Sequence, residues 1–335
     1  MGMGDTLAFQ RYGKEFRAQR RMAEQYFRKD RGSKEHHPIQ TRCARTLVRD
    51  LLSTPEKRSD LLMRFSTSVI IEASYGHRIE DSATDRFLEI AGACGEASAR
   101  CGPPGSTPVD LFPILQNFPS WFPGTFYGTV AKESWQAFRD LREYPFSRGL
   151  ENIEKGTAKP SFLSSLIGSI DPKGLENLEL VDRIKALCGL TYVAGAETTA
   201  GTLSFFFLAM VLYPETQLEA QKEIDAIISS DRLPELSDRG SLPYLECLVQ
   251  EVFRVLEDDV YNGMFIPKGS TVIANARICP GRYLATDSSW IAIATILAAI
   301  SISRTIGEDG KEIIPDSSSE ASGISRYDLD PFIYC

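Results

Sequence analysis

The segment Ala194-Gly-Ala-Glu-Thr-Thr199 sets a carboxylate and two hydroxyls inside an otherwise apolar run, with Leu190 and Val193 before it and Phe205, Phe206 and Phe207 after it. In a core helix such groups would be buried and would need partners. Gly195 adds roughly 1 kcal/mol of cost relative to Ala in a helix interior. Two readings fit: a functional reason for keeping polar groups there, or a threonine that bonds back to the carbonyl four residues earlier at a helix bend. A second constellation, Arg277-Ile-Cys-Pro-Gly-Arg-Tyr-Leu-Ala285, places a thiol just before an apolar stretch with helical pattern. There the helix dipole and unpaired N–H groups favour a thiolate, either a nucleophile or a soft metal ligand. Gly281 would let the backbone approach a flat ligand closely. The alternative is a small buried residue at a loop–helix junction.

Two further groupings are weaker. Glu251 and Arg254 stand at i and i+3, on one face of a helix, where an exposed pair contributes only ~0.2–0.5 kcal/mol. Arg17 and Arg20 in Phe16-Arg-Ala-Gln-Arg20 lie within one turn and could clamp a carboxylate or phosphate, or form a solvated basic face. Cysteine-dependent nucleophilic catalysis would need a base, and the three histidines, His36, His37 and His77, stand in polar or remote contexts.

The elements that must position these residues read mostly as helices. Residues 5–29 bring Leu7, Tyr12, Phe16, Ala23 and Phe27 to near-helical spacing. Helical pattern recurs over 57–75, 84–98, 129–155, 179–213, 215–228, 243–255 and 282–302, while breaker clusters at 101–108 and 118–124 read as surface loops. Only 261–275 differs: β-branched residues around Asn-Gly and Lys-Gly turns predict a hairpin. The expected fold class is mainly α with a minor β component. Residues 1–302 form a single domain, and 303–335 a tail read as a loose β-hairpin or partly disordered.

Composition narrows the function. The 335 residues are 43% hydrophobic and 24% charged, which excludes a disordered or fibrous chain. A net charge of -8 argues against a generic nucleic-acid binder, although residues 11–50 hold twelve Lys and Arg against five Asp and Glu, a local basic face. The seven cysteines are an odd number without metal-finger spacing, and the first thirty residues are polar and basic, so free thiols in a reducing compartment are expected. The longest apolar runs, 203–213 and 290–302, fall short of the ~20 residues a membrane span needs and read as buried helices. No membrane anchor is expected in the chain as written.

In combination the motifs are distinctive. An aromatic-Arg-x-x-Arg helix, a long helix with A-G-A-E-T-T, a Pro-started helix with E-x-x-R, and R-x-C-P-G-R before an apolar helix, in that order, resemble the cytochrome P450 family of haem-thiolate monooxygenases. Leu190-Thr-Tyr-Val-Ala-Gly-Ala-Glu-Thr-Thr-Ala-Gly-Thr202, Arg277–Ala285, Phe118-Pro-Ser-Trp-Phe-Pro-Gly124 and Tyr261-Asn-Gly-Met-Phe-Ile-Pro-Lys-Gly269 are similar to fungal microsomal members. The likeness covers most of residues 5–300.

The resemblance implies roles. Cys279 corresponds to the proximal haem-iron ligand. Thr198 with Glu197 corresponds to the acid–alcohol pair that delivers protons during oxygen activation, and Gly195 with Ala194 to the widened groove where oxygen sits. Glu251 and Arg254 correspond to a structural pair that buttresses the haem-binding core. Arg20, with Arg17 beside it, corresponds to a haem-propionate contact; Arg277 and Gly281 belong to the cysteine motif around the cofactor. The implied reaction inserts one oxygen atom from O2 into a small apolar organic substrate, with electrons from NADPH through a flavin-containing reductase that docks on the basic N-terminal face. The implied location is the endoplasmic reticulum membrane, or the cytoplasm if the missing anchor is genuine.

Some family features are missing. Aligned on Cys279, the cysteine motif keeps Arg277 and Gly281 but has Val272 and Asn275 where the family has Phe and Gly. Arg254 and Cys279 lie closer in sequence than in the family, and the Arg that should complete the Glu251–Arg254 pair has no counterpart. Abrupt junctions at Val255–Leu256 and Ala276–Arg277 omit the meander before the cysteine loop, and the chain starts near the third major helix of the fold. The expected architecture is therefore an incomplete cytochrome P450 fold, resembling a mis-spliced product. The alternative function is a non-catalytic remnant with weak or no haem binding.

Overall fold

The structure is a computed structural model and describes residues 4, 6–8, 10–28, 32–80, 85–101, 107–119, 121–122, 125, 127–170, 176–228, 231–253, 259–261, 264–266, 279–304 and 333–334. In chain order the helices are α1 (Lys14–Tyr26), α2 (Gly32–Ser53), α3 (Arg58–Tyr75), α4 (Arg86–Cys101), the single turn α5 (Pro108–Leu111), α6 (Tyr127–Glu154), α7 (Phe162–Gly168), α8 (Leu178–Leu212), α9 (Pro214–Ile228), α10 (Pro243–Val252) and α11 (Arg282–Ala299). Strands β1 (Asp259–Tyr261) and β2 (Met264–Ile266) pair antiparallel with Val260 opposite Phe265. Strands β3 (Ser303–Arg304) and β4 (Ile333–Tyr334) form a second antiparallel pair. The mainly α class with a minor β component, read from periodicity, is the architecture observed.

Two elements differ from the sequence reading. The predicted helix over 5–29 contracts to α1, which starts directly after Gly13 and places Glu15 in its first turn, where a carboxylate is favoured by the helix dipole. The whole of α2 goes unread because His36-His37-Pro38 and its basic residues obscure the pattern. Its buried positions Gln40, Ala44, Leu47, Val48 and Leu51 nevertheless fall at helical spacing.

The described residues form two compact units. The first holds α1, α3 from Ser66 onward, α4 to α7, and α8 as far as Thr198. Here α4 packs along α6, and α7 sits against α6 and α1. Ser161 caps α7 through a capping box: its hydroxyl accepts from Ser164 N–H at 3.2 Å, and the Ser164 hydroxyl accepts from Ser161 N–H at 2.8 Å. Tyr26 of α1 stacks on Phe162 of α7 at 4.9 Å, and Arg183 of α8 forks onto Glu15 of α1.

The second unit holds α2, α3 up to Phe65, α8 from Thr199, α9 to α11 and both strand pairs. Its centre is α11, where Trp290, Ile291, Ala292, Ile293, Ala294 and Ile296 are all fully buried. A helix apolar on all sides belongs inside a core. Polar groups fix it at several levels. Gln40 Nε2 of α2 donates to Leu284 O at 3.0 Å and to Ser288 Oγ at 2.9 Å. From the 3₁₀ turn Leu236–Ser241, Arg239 bonds Asp287 at 2.8 Å and clasps Glu246 of α10 with two bonds of 2.7 and 2.8 Å. Past the end of α11, Gln217 of α9 donates to Ile302 O and accepts from Ile302 N–H, at 2.9 and 2.8 Å.

Candidate functional site

The polar segment of α8 has three different neighbourhoods within two turns. At Gly195 the helix lies directly on Ile70 of α3: a Cβ built there would meet Ile70 Cγ1 at 2.6 Å and Cδ1 at 2.8 Å. The glycine thus has a packing reason, close approach of two helices. At Glu197 the side chain reaches toward α4, its Oε1 3.2 Å from where a Cβ on Gly95 would lie. Burial raises the Glu197 carboxyl above its ordinary value. Ala194 and Thr198, at i and i+4, are exposed on the remaining face. Thr198 Oγ1 donates to Ala194 O at 2.6 Å, the back-bond that the sequence offered as one of two readings. On a helix otherwise embedded in the protein, an uncovered Ala–Thr step with a satisfied hydroxyl is an open, nearly apolar surface.

In the second unit, Cys279 is an exposed free thiol two residues before the Gly281 cap of α11. The turn that carries it is tied to the helix: Arg282 N–H and the Arg282 guanidinium both donate to Cys279 O, at 3.3 and 3.2 Å. The same guanidinium donates to Tyr283 Oη at 2.9 Å and stacks on its ring at 4.3 Å. Among the described residues, the nearest atom to a Cβ built on Gly281 is Cys279 Sγ itself, at 3.9 Å. Sequence reasoning quoted Arg282 within the motif but gave it no role; nor did it single out Gln40, Arg239 or Asp287, which hold α11 in place behind the thiol. Gln40 and Arg239 meet polar groups of α11 itself, Ser288 and Asp287, pairings between elements distant in sequence.

The remaining candidates are dispersed. Arg20 of α1 pairs with Glu24 at 2.7 Å, and Arg17 lies over the Tyr12 ring at 5.7 Å. Glu251 is exposed in the last turn of α10. Arg254, Val272, Asn275 and Arg277 lie outside the described residues, as does most of the predicted hairpin beyond Ile266. Among the described residues no group of three or more His, Cys, Asp and Glu converges as a metal site; a single axial thiolate is a different kind of ligand set.

Two surface features complete the picture. Arg42, Arg45 and Arg49 of α2, with His37, line a groove of about 680 Å³ against Glu235, Leu236 and Ser237. In the first unit, the corner 118–124 read as a loop exposes Phe118 and Trp121, the latter at 79%, and the helical turns just before it expose Leu111, Phe112 and Ile114. By length and composition α8 alone among the described helices could cross a membrane, but more than half of its apolar window (56%) is buried within the protein.

Among the described residues the frame is almost wholly helical, with a solvent-facing cysteine heading α11 and an acid–alcohol step in the long helix α8. The family described as Cytochrome P450 matches residues 1–276, and the chain belongs to that family. It is 30% identical to Cytochrome P450 monooxygenase claR of Ampulloclitocybe clavipes, over 97% of this chain and 70% of that protein. It is likewise 31% identical to Cytochrome P450 monooxygenase COX2 of Coprinopsis cinerea, over 93% and 70% of the two chains. With the tryptamine 4-monooxygenase of Psilocybe cyanescens it shares 30% identity, over 93% and 72%. The chain is a fungal-type monooxygenase by family, and the family implies haem, a redox partner and an organic substrate.

The matched region stops at Ala276, one residue before Arg277, where the sequence showed its abrupt junction. The alignment with claR runs over 380 positions, more than the 335 residues present, so stretches of that relative have no counterpart here.

Proposed function

We propose that this chain is a haem-thiolate monooxygenase that inserts one oxygen atom of O2 into a small apolar organic substrate. The observation that carries the proposal is the exposed Cys279 thiol at the head of α11, a helix with a buried central stretch and several polar anchors. Such a thiol would hold a haem iron without any other metal-ligating side chain. The residues present fit the group: Cys279 is a soft sulfur donor beside Gly281, which has no side chain to obstruct a flat ligand.

When bound, haem supplies the activation of dioxygen and the transfer of oxygen to carbon. The chain's own residues do the rest. Cys279 would hold the iron, and Arg282 keeps the Cys279 carbonyl, and hence the turn, in register with α11. Arg20 and Arg277 would pair with the propionates, and Gly281 and Ala194 would leave room for the ring and for oxygen, while Gly195 lets α8 lie close on Ile70 of α3. Thr198 carries a hydroxyl that exchanges its bond to Ala194 O for one to water, and Glu197, whose carboxyl burial raises above its ordinary value, supplies the proton. Glu251 with Arg254 serves as the structural pair, and residues 1–302 act as one incomplete domain with 303–335 as its tail.

Electrons come from an NADPH-dependent flavin reductase, whose acidic surface docks on the basic face that includes the Arg42, Arg45 and Arg49 groove. The exposed aromatic corner around Trp121 favours association with the endoplasmic reticulum membrane. The test is to reconstitute the purified chain with haem and a fungal NADPH-cytochrome P450 reductase: one haem per chain and reductase-dependent NADPH oxidation are expected, and failure to take up haem contradicts the proposal.

A second reading has its own observation, the end of the family match at Ala276. In it the chain is a non-catalytic remnant, with the proximal pocket incompletely walled because the meander is missing. Sequencing the transcript and the gene across the codons for Ala276 and Arg277 tests it, since an intervening open frame encoding the meander is its direct consequence.

A further inference from the structure

Two glycines interrupt α4, Gly92 and Gly95, each placed where Ala would favour the helix by about 1 kcal/mol. Their surroundings differ. A Cβ on Gly92 would meet nothing within 4 Å, whereas a Cβ on Gly95 would meet Oε1 of Glu197 at 3.2 Å, closer than side chains normally approach. Gly95 is thus the glycine whose missing side chain leaves a gap, and what occupies that gap is the carboxylate of α8.

Around this gap, α3 contributes the apolar Ile70 against Gly195. From α4 comes Cys94, a buried thiol that donates to Ala137 O of α6 at 3.3 Å. Burial, together with the nearby Glu197 and Asp140, pushes the Cys94 thiol up to about 12, so it stays neutral throughout the range in which a carboxyl titrates. Asp140 of α6 is the further charged group near Cys94, and it accepts from Gln136 at 2.7 Å. Glu197 therefore sits against α4 beside the neutral Cys94 thiol, with which Asp140 also interacts.

We propose that Gly95 is a positioning residue for Glu197: the absence of a side chain at this one position of α4 creates the slot that holds the Glu197 carboxylate between α4 and α8, one residue from Thr198. This deepens the proton-delivery reading and rests on it only for the catalytic consequence; the slot itself is a property of the folded chain.

The test is a double-mutant cycle on the folded protein, read as the pH dependence of thermal unfolding. A carboxyl whose folded pKa is raised makes stability fall as pH rises from its unfolded value through its folded one, so Glu197→Gln should remove that fall. Gly95→Val fills the slot and pushes the carboxylate toward water. The difference between Glu197 and Glu197→Gln profiles should then vanish, and Gly95→Ala, which requires a shift of only a few tenths of an ångström, should reduce it in part. The control Gly92→Ala should raise the unfolding temperature equally at all pH values and leave the difference intact. If the Glu197-dependent slope survives unchanged in both Gly95→Val and Gly95→Ala, or in Gly95→Ala alone should the valine variant not fold, the proposal is overturned. A second arm measures hydrogen peroxide formed per NADPH in the haem-loaded, reductase-supported chain. A cycle that couples while peroxide yield stays constant keeps the slot and rejects proton delivery by Glu197.

Discussion

The hydroxyl of Thr198 donates to the carbonyl oxygen of Ala194 at 2.6 Å, and the two residues together form the exposed face of a helix whose other sides are packed against α3 and α4. One side chain thereby combines a structural bond with availability: the back-bond satisfies the hydroxyl and releases it at small cost when a water or oxygen species offers a better partner.

Replacing Thr198 with Ala should accordingly cost less than about 1 kcal/mol, because the lost bond lies at an exposed position. In the reconstituted enzyme the same change should divert reducing equivalents from product to hydrogen peroxide. Product formed per NADPH should drop several-fold, while Thr198→Ser keeps most of the coupling. Equal coupling in the alanine and wild-type proteins would remove Thr198 from the proton path.

Gly195 should behave as a packing residue when substituted. An added methyl would sit 2.6 Å from Ile70 Cγ1 and 2.8 Å from Cδ1, so Gly195→Ala should destabilise by about 1–3 kcal/mol through overpacking. Trimming the partner tests the cause. Ile70→Ala leaves only the Ile70 Cβ, at 3.1 Å, and the double variant should recover part of the loss seen by chemical denaturation. Additive losses would mean that the two residues do not share the contact.

The Arg239 network should show in the acid limb of stability. Arg239 holds the Glu246 carboxyl below its ordinary value, chiefly through the two bonds between them. A depressed carboxyl stabilises the fold above its unfolded value, and that contribution disappears as pH falls through the folded one. Arg239→Leu should therefore lower stability near neutral pH by about 2 kcal/mol, since it also strips a charge-assisted bond from the nearly buried Asp287, and should flatten the decline below about pH 4.5. A parallel downward shift at every pH would contradict the linkage.

Much of this was legible in the sequence. Helical periodicity located α3, α4, α6, α8, α9, α10 and α11 to within a few residues, because each buries a face whose apolar spacing survives in the chain. Asn262-Gly263 marked the β1–β2 pairing. The helix α2 was not legible, since its apolar positions are few and His36-His37-Pro38 reads as a breaker. Nor was α7, whose capping box uses serine where the recognisable pattern has a glutamate or glutamine. For the candidate site, the order of motifs exposed Glu197, Thr198 and Cys279. What lies across from them was not visible: Ile70 under Gly195, and Gly95 opposite Glu197, are contacts between helices distant in sequence. Single glycines in helical patterns were the available signal, and only a structure distinguishes the one facing open space from the one facing a carboxylate.

The basic residues also sorted differently from their simple count. Of the cluster in residues 11–50, Arg20, Arg45 and Arg49 are each paired with a carboxylate, from Glu24, Glu235 and Asp50. Exposed pairs of this kind contribute little to stability, so they leave the guanidinium groups available for an acidic partner at low cost.

The central claim is thiolate ligation of haem by Cys279, and the carbon-monoxide difference spectrum of the reduced, haem-reconstituted chain tests it most directly. The account expects a red-shifted Soret band that disappears in Cys279→Ala while the unfolding temperature stays within about 2 °C of wild type, since the thiol is exposed and its loss opens no core cavity. An unshifted band, or a shifted band that persists without Cys279, would contradict it.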